Sequence, residues 1–166
     1  MRAGQRYGGE RRPGRRAGLA LILYADTSAI VRAYLPDEAD HVFLRLQLLE
    51  GDDPVISSVV AHLEFASAAH AAARDQRLSD PAALLARFDA DCLPGGALSL
   101  LVLRPEAVLV TAYRILADHP VRTLDAIHLA VAIEDGQRLA GDDQLAFVTR
   151  DRMQAEAARA LGLGVA

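Results

Sequence analysis

Leu19-Ala20-Leu21-Ile22-Leu23-Tyr24-Ala25 is an unbroken apolar run that stops on an acid, Asp26. A strand apolar at every position is buried on both faces, which is the situation of a strand inside a parallel sheet covered by helices. The same kind of punctuation recurs along the chain. Val55-Ile56-Ser57 follows the turn Gly51-Asp52-Asp53-Pro54, Leu98 to Leu103 follows Pro94-Gly95-Gly96, and Leu145 to Thr149 follows Gly141-Asp142-Asp143. Each reads as a short strand, and Leu163 to Val165 can add a last one.

Between the strands lie segments with helical patterns: Ser28–Tyr34, Asp37–Glu50, Val59–Arg74, Ala82–Cys92, Glu106–Ala117, Thr123–Ile133 and Met153–Leu161. Their ends carry ordinary signals. Pro36 stops the first, Ser57 or Ser58 can cap the third, and Ser79-Asp80-Pro81 provides a cap and a helix-start proline for the fourth. Gly162 suits the end of the last. Strands alternating with helices predict an α/β fold, a three-layer sandwich with a mostly parallel sheet. No internal repeat is evident.

A chain of 166 residues is one domain by length and can bury a sizeable core. Residues 1–18 stand apart: rich in glycine and arginine and without apolar period, they read as a disordered basic arm ahead of a domain over 19–166. Residues 1–20 hold six arginines and one glutamate, whereas the remainder holds 12 arginines against 21 acids, so the formal charge of −4 divides into about +5 and −9. The arm is either a nucleic-acid-contacting tail or a by-product of an upstream start. The chain has no lysine, which excludes any lysine-dependent chemistry. Aromatic residues are only 5%, too few for base stacking to dominate recognition. The single cysteine, Cys92, forms no internal disulfide and reads as buried and inert. No apolar run is long enough to span a bilayer, and the one preceding Asp26 is at the lower limit for a secretory signal. The expected location is the cytoplasm, with no membrane partner.

Four acids sit at element boundaries beside apolar residues: Asp26, Glu64, Asp125 and Asp151. Taken singly, each has an unremarkable reading. Asp26, Asp125 and Asp151 can cap or charge helix starts, and Glu64 can be a solvated helix residue. Taken together, all four fall where an α/β sheet binds ligands, at the carboxyl ends of its strands. Clustered carboxylates repel one another, and a divalent cation relieves that repulsion. Oxygen ligands suit Mg²⁺ or Mn²⁺, and such a centre is equipped to cut phosphodiester bonds. Arginines flank the acids. Arg122 and Arg32 are the leading candidates for phosphate contact, with Arg150 and Arg152 behind them. His128, three residues beyond Asp125, reads as a packed or hydrogen-bonded histidine. His62 and His70 read as surface or core residues, and Asp142 and Asp143 as turn residues.

The segments Tyr24-Ala25-Asp26-Thr27-Ser28-Ala29-Ile30, His62-Leu63-Glu64-Phe65-Ala66, Arg122-Thr123-Leu124-Asp125-Ala126-Ile127-His128-Leu129-Ala130 and Phe147-Val148-Thr149-Arg150-Asp151-Arg152 together resemble the PIN-domain family, most closely the VapC-type toxin ribonucleases of type II toxin–antitoxin pairs. The resemblance covers about residues 21–165. It implies an endoribonuclease dependent on Mg²⁺ or Mn²⁺, with Asp26, Glu64, Asp125 and Asp151 as metal ligands and Thr149 as the hydroxyl residue beside them. Ser28 would support the site through hydrogen bonds. A metal-activated water would attack phosphorus directly and leave 5′-phosphate and 3′-hydroxyl ends. An antitoxin protein and a homodimer are implied as partners, with the helices between Asp37 and Cys92 as a source of interface.

Other readings are weaker. Asp26-Thr27-Ser28 after a strand is similar to haloacid-dehalogenase phosphatases, but those need an acid at the position of Ser28. A receiver domain needs a lysine. A catalytically inactive PIN-like module that binds RNA or protein is the main alternative, and four retained acids argue against it.

Overall fold

The computed structural model describes residues 19–166, so the arm expected at 1–18 lies outside the described residues. The strands are β1 (Leu21–Ala25), β2 (Val55–Ser58), β3 (Leu98–Leu101), β4 (Gln144–Val148) and β5 (Gly164–Val165). They form one sheet in the order β3-β2-β1-β4-β5, and every pairing is parallel. The helices are α1 (Thr27–Tyr34), α2 (His41–Leu48), α3 (Val60–Arg74), α4 (Pro81–Asp91), α5 (Pro105–Asp118), α6 (Thr123–Val131), α7 (Gln137–Ala140) and α8 (Arg152–Ala160). A π-helical turn, Ala132–Gly136, joins α6 to α7.

The apolar run of β1 serves both faces of the sheet, as its pattern requires. Ile22 and Tyr24 point into a core with Val108, Ile115, Leu129, Phe147 and Ala158, beneath α5, α6 and α8. Leu23 and Ala25 point the opposite way, into a core with Ile30, Leu44, Phe65 and Phe88 beneath α1 to α4. Side chains alternate across a strand, so one strand knits the two outer layers together. Tyr24 and Phe147 stack at 5.3 Å on the first face, and Phe65 and Phe88 stack at 4.1 Å on the second. The expected three-layer sandwich is therefore present.

Several element ends differ from expectation for identifiable reasons. The third strand stops at Leu101 rather than Leu103 because its partner β2 ends opposite it, with Ser58 across from Leu101. The second helix begins at His41 rather than Asp37. Asp37 and Glu38 are drawn to Arg77, and Asp40 adopts a left-handed φ of 62° that an α-helix does not contain. The sixth helix does not end at Ile133 but passes through the π turn. There the side chain of Asp135 is held by Arg104 at 2.6 Å, and Thr111 donates to Glu134 at 2.5 Å. Gly136 lies against the sheet, and a Cβ there would stand 3.1 Å from Leu145 Cδ2. Gly162 closes α8 with a φ of 83°, the left-handed position for which glycine suits a helix end.

Two measurements check this packing. Phe147 is fully buried between the sheet and the first helical layer, so Phe147→Ala should cost about 3–5 kcal/mol in urea unfolding. Cys92 is half-buried, and burial with the nearby Asp89 and Asp91 pushes its thiol up to about 11. At pH 8 only about one thiol in a thousand is thiolate, so alkylation of the folded protein should be far slower than that of free cysteine.

Candidate active site

The centre of the site follows from the pairing of β1 with β4. Ala25 lies opposite Val148, and the Asp26 amide donates to the Val148 carbonyl at 2.9 Å. The next residues, Asp26 and Thr149, therefore leave the sheet side by side. Asp26 caps α1, with Oδ2 accepting from the Ser28 amide at 3.0 Å. Asp151 caps α8 in the same way, with Oδ1 accepting from the Gln154 amide at 2.9 Å. Asp125 stands in the first turn of α6, where Oδ2 accepts from the Arg122 amide at 3.1 Å. Glu64 reaches in from the second turn of α3. Each acid thus has a local structural task, and each also faces one cavity of about 350 Å³ lined by Asp26, Glu64, Asp125, Asp151, Arg32 and Arg122.

Beneath the cavity lies a buried polar bed. Glu64 Oε2 accepts from the Thr27 hydroxyl at 2.6 Å and from His128 Nε2 at 2.7 Å. His128 is wholly buried, and its Nδ1 lies 3.1 Å from the Tyr24 hydroxyl. A proton on Nε2 suits the carboxylate, and Tyr24 then donates to Nδ1. Burial favours the neutral imidazole, but the bond to Glu64 and the charges of Asp26, Glu64 and Asp125 outweigh it and raise the His128 pKa. Burial, with the charges of Asp26 and Glu64, raises the Tyr24 phenol well above its ordinary value, so it remains a donor.

Asp26 is only 4% exposed. Its Oδ1 accepts from Gln154 Nε2 at 3.2 Å, and Thr149 Oγ1 lies 3.4 Å from Oδ2. The Thr149 hydroxyl donates to Gln154 Oε1 at 2.6 Å and accepts from the Asp151 amide at 3.1 Å. Ser28 Oγ accepts from the Arg150 amide at 2.9 Å and lies 3.3 Å from Thr149 Oγ1. His128 is the packed, hydrogen-bonded histidine that the sequence suggests, whereas Gln154, Tyr24 and Thr27 are participants that sequence reasoning passed over. Asp151 followed three residues later by Gln154 has the form of a capping box. That spacing announces a helix start, but the Gln154 side chain turns inward instead.

The flanking arginines divide. Arg122 and Arg32 line the cavity, Arg32 lying 3.9 Å from Glu38, which also pairs with Arg77. Arg150 does not line it: its guanidinium donates to the Thr149 and Ala166 carbonyls and lies over Phe43. Arg152 is exposed and 3.8 Å from Glu156. Asp143 accepts from the Ala20 amide at the amino end of the sheet, which fits its reading as a turn residue. A larger cavity, of about 500 Å³, adjoins Leu101, Arg104, Asp135 and Leu139. Arg104 is committed there to Asp135, and chemistry rather than size marks the smaller cavity as the site.

Among the described residues, no three His, Cys, Asp or Glu side chains already converge as a metal cage. The donor set still fits a hard cation. Magnesium keeps several waters and needs only one or two protein carboxylates. Glu64 Oε1, Asp125 Oδ1 and Asp151 Oδ2 have no hydrogen-bond partner among the described residues. Desolvation, with the charges of Asp26 and Asp151, raises the Asp125 pKa even though the Arg122 amide opposes it.

The PIN domain family matches residues 23–160, most of the chain. The chain belongs to the PIN domain family. Members of this family are in general metal-dependent nucleases that act on RNA. A search of curated proteins returns no match. No helix among the described residues is long and apolar enough to cross a membrane.

The Asp125 environment predicts a trade between stability and function in this PIN domain. A raised carboxyl pKa favours folding below the ordinary aspartate value, and that contribution is lost as pH rises through the raised one. At neutral pH the ionised group therefore opposes folding, discounted because it is half-exposed. Asp125→Asn keeps an acceptor for the Arg122 amide. In chelator at pH 7 it should raise Tm by roughly 1–3 °C, on a scale of about 2–4 °C per kcal/mol.

Proposed function

We propose that this chain is a divalent-metal-dependent endoribonuclease, the toxin of a type II toxin–antitoxin pair of the VapC kind. The observation that carries the reading is the convergence of Asp26, Glu64, Asp125 and Asp151 on one cavity in a PIN-domain chain. These carboxylates would hold Mg²⁺ or Mn²⁺. When bound, the cation polarises the phosphoryl oxygen and lowers the pKa of water, so that water can attack phosphorus without a 2′-hydroxyl nucleophile.

The remaining work falls to the chain's own residues. Arg122 and Arg32, on the cavity wall, offset the negative rim and take phosphate oxygens in the planar, two-pronged manner of a guanidinium. Thr149 and Ser28 fix the strand end that carries Asp26. Thr27 and His128 hold Glu64 by one oxygen and leave the other facing the cavity. The toxin reading brings a cognate antitoxin and a homodimer, both in the cytoplasm. Val42, Phe43 and Leu46 of α2 and Leu63 of α3 are exposed apolar side chains, and partner proteins of that kind would cover them.

The decisive test is cleavage of total RNA by protein freed of any partner. Cutting is expected with Mg²⁺ or Mn²⁺ and absent with EDTA, and Asp26→Asn should lower the rate at least about 100-fold. End-group analysis should find 5′-phosphates and no cyclic phosphate. A folded protein that binds RNA or a protein partner but never cuts would instead support the inactive binding module. Arg122→Ala should raise KM several-fold and reduce the slope of log affinity against log salt by about 1.

A further inference from the structure

We propose that Gln154 is the positioning residue of the carboxylate site, setting the orientation of Asp26 and releasing an Asp26 oxygen from Thr149. The proposal rests on the nuclease reading and goes beyond it by assigning a role to a residue that carries no charge. Gln154 is completely buried, and its amide joins three separate elements. Nε2 lies 3.2 Å from Asp26 Oδ1 at the end of β1 and 3.4 Å from the Asp125 carbonyl in α6. Oε1 accepts the Thr149 hydroxyl at 2.6 Å, just past β4. Its backbone amide holds Asp151 Oδ1.

The hydrogen inventory fixes the direction of every bond. The carboxylate oxygen and the carbonyl near Nε2 are acceptors only, so the amide nitrogen must face them. Oε1 is then the acceptor for Thr149. The Thr149 hydroxyl has one hydrogen and three nearby acceptors, Gln154 Oε1 at 2.6 Å, Ser28 Oγ at 3.3 Å and Asp26 Oδ2 at 3.4 Å. Gln154 takes that hydrogen at the shortest distance. Asp26 Oδ2 is then engaged by the Ser28 amide without a second donor, and its remaining lone pair can serve a cation. Without the amide, the threonine hydroxyl is freed to turn to Ser28 Oγ or to Asp26 Oδ2, and Asp26 Oδ1 loses its Gln154 donor although Asp26 is nearly buried. A polar group that orients a metal-binding side chain typically affects metal affinity by about 10–100-fold.

The test measures Mn²⁺ affinity calorimetrically on RNA-free protein, alongside kcat and KM for RNA cleavage. Gln154→Met has similar volume and no hydrogen bonds. Gln154→Asn stays polar but is too short to span Thr149 and Asp26. Both are checked for folding by circular dichroism. The expected result is Mn²⁺ binding about 10–100-fold weaker in either folded variant, with kcat recovering at saturating Mn²⁺ and KM for RNA unchanged. A folded variant that binds Mn²⁺ like wild type overturns the proposal and reduces Gln154 to packing. If Asp26→Asn still abolishes binding in that case, the nuclease reading stands. If wild type itself binds no Mn²⁺, both the metal reading and this proposal fall.

Discussion

The parallel pairing of β1 with β4, from Leu21 opposite Gln144 to Ala25 opposite Val148, determines where negative charge gathers in this molecule. Parallel strands end at the same rim, so the residues that follow them emerge as neighbours although more than a hundred positions separate them in the chain. Asp26 and Thr149 are brought together in this way. The two helices that begin just beyond them are each capped by an acid, Asp26 for α1 and Asp151 for α8. Helix starts favour negative charge, and the fold uses that preference to collect carboxylates at one end of the sheet.

The bed under the acids satisfies hydrogen bonds without neutralising charge. Backbone amides, Thr27 and Gln154 supply uncharged donors. Among the described residues no arginine forms an ion pair with any of the four acids, and His128 is the single titratable donor that touches them. A buried carboxylate that is hydrogen-bonded but lacks a counter-charge retains much of its desolvation penalty. The raised Asp125 pKa is one expression of that penalty, to which the charges of Asp26 and Asp151 add. A diffusible cation is the physical complement of such a site, and the arginines stand on its wall rather than in its floor.

Much of this was legible in the sequence, though unevenly. The run into Asp26 announces a strand buried on both faces, and the alternation of short strands and helices yields the layer architecture. The acids were visible because charge beside apolar sequence is conspicuous. Among the supporting residues Ser28, Thr149 and a packed His128 could be named, but Gln154 and Tyr24 could not, because a glutamine and a tyrosine within helices and strands look the same whether they face solvent or the interior. Gln154 even carries a local pattern with an adequate surface explanation. Arg150 misled in the opposite direction: beside Asp151 in sequence, it is turned away from the cavity toward Thr149, Ala166 and Phe43. Adjacent residues at a strand end diverge, and only the register decides which of them faces the rim.

The π turn between α6 and α7 has a consequence for how this chain tolerates change in length. An ordinary helix advances about 100° per residue, so its two ends share a fixed phase. Here the amino end must aim Asp125 at the rim, while the carboxyl end must press Gly136 against Leu145 and deliver the chain to β4. The wider turn at Ala132–Gly136 works as a slipped tooth that lets the two demands be met by one rod. A π turn takes up one extra residue per turn, so deleting a single residue there would restore regular winding with the two ends still nearly in phase, whereas a deletion within the regular part of α6 would turn one end about 100° against the other.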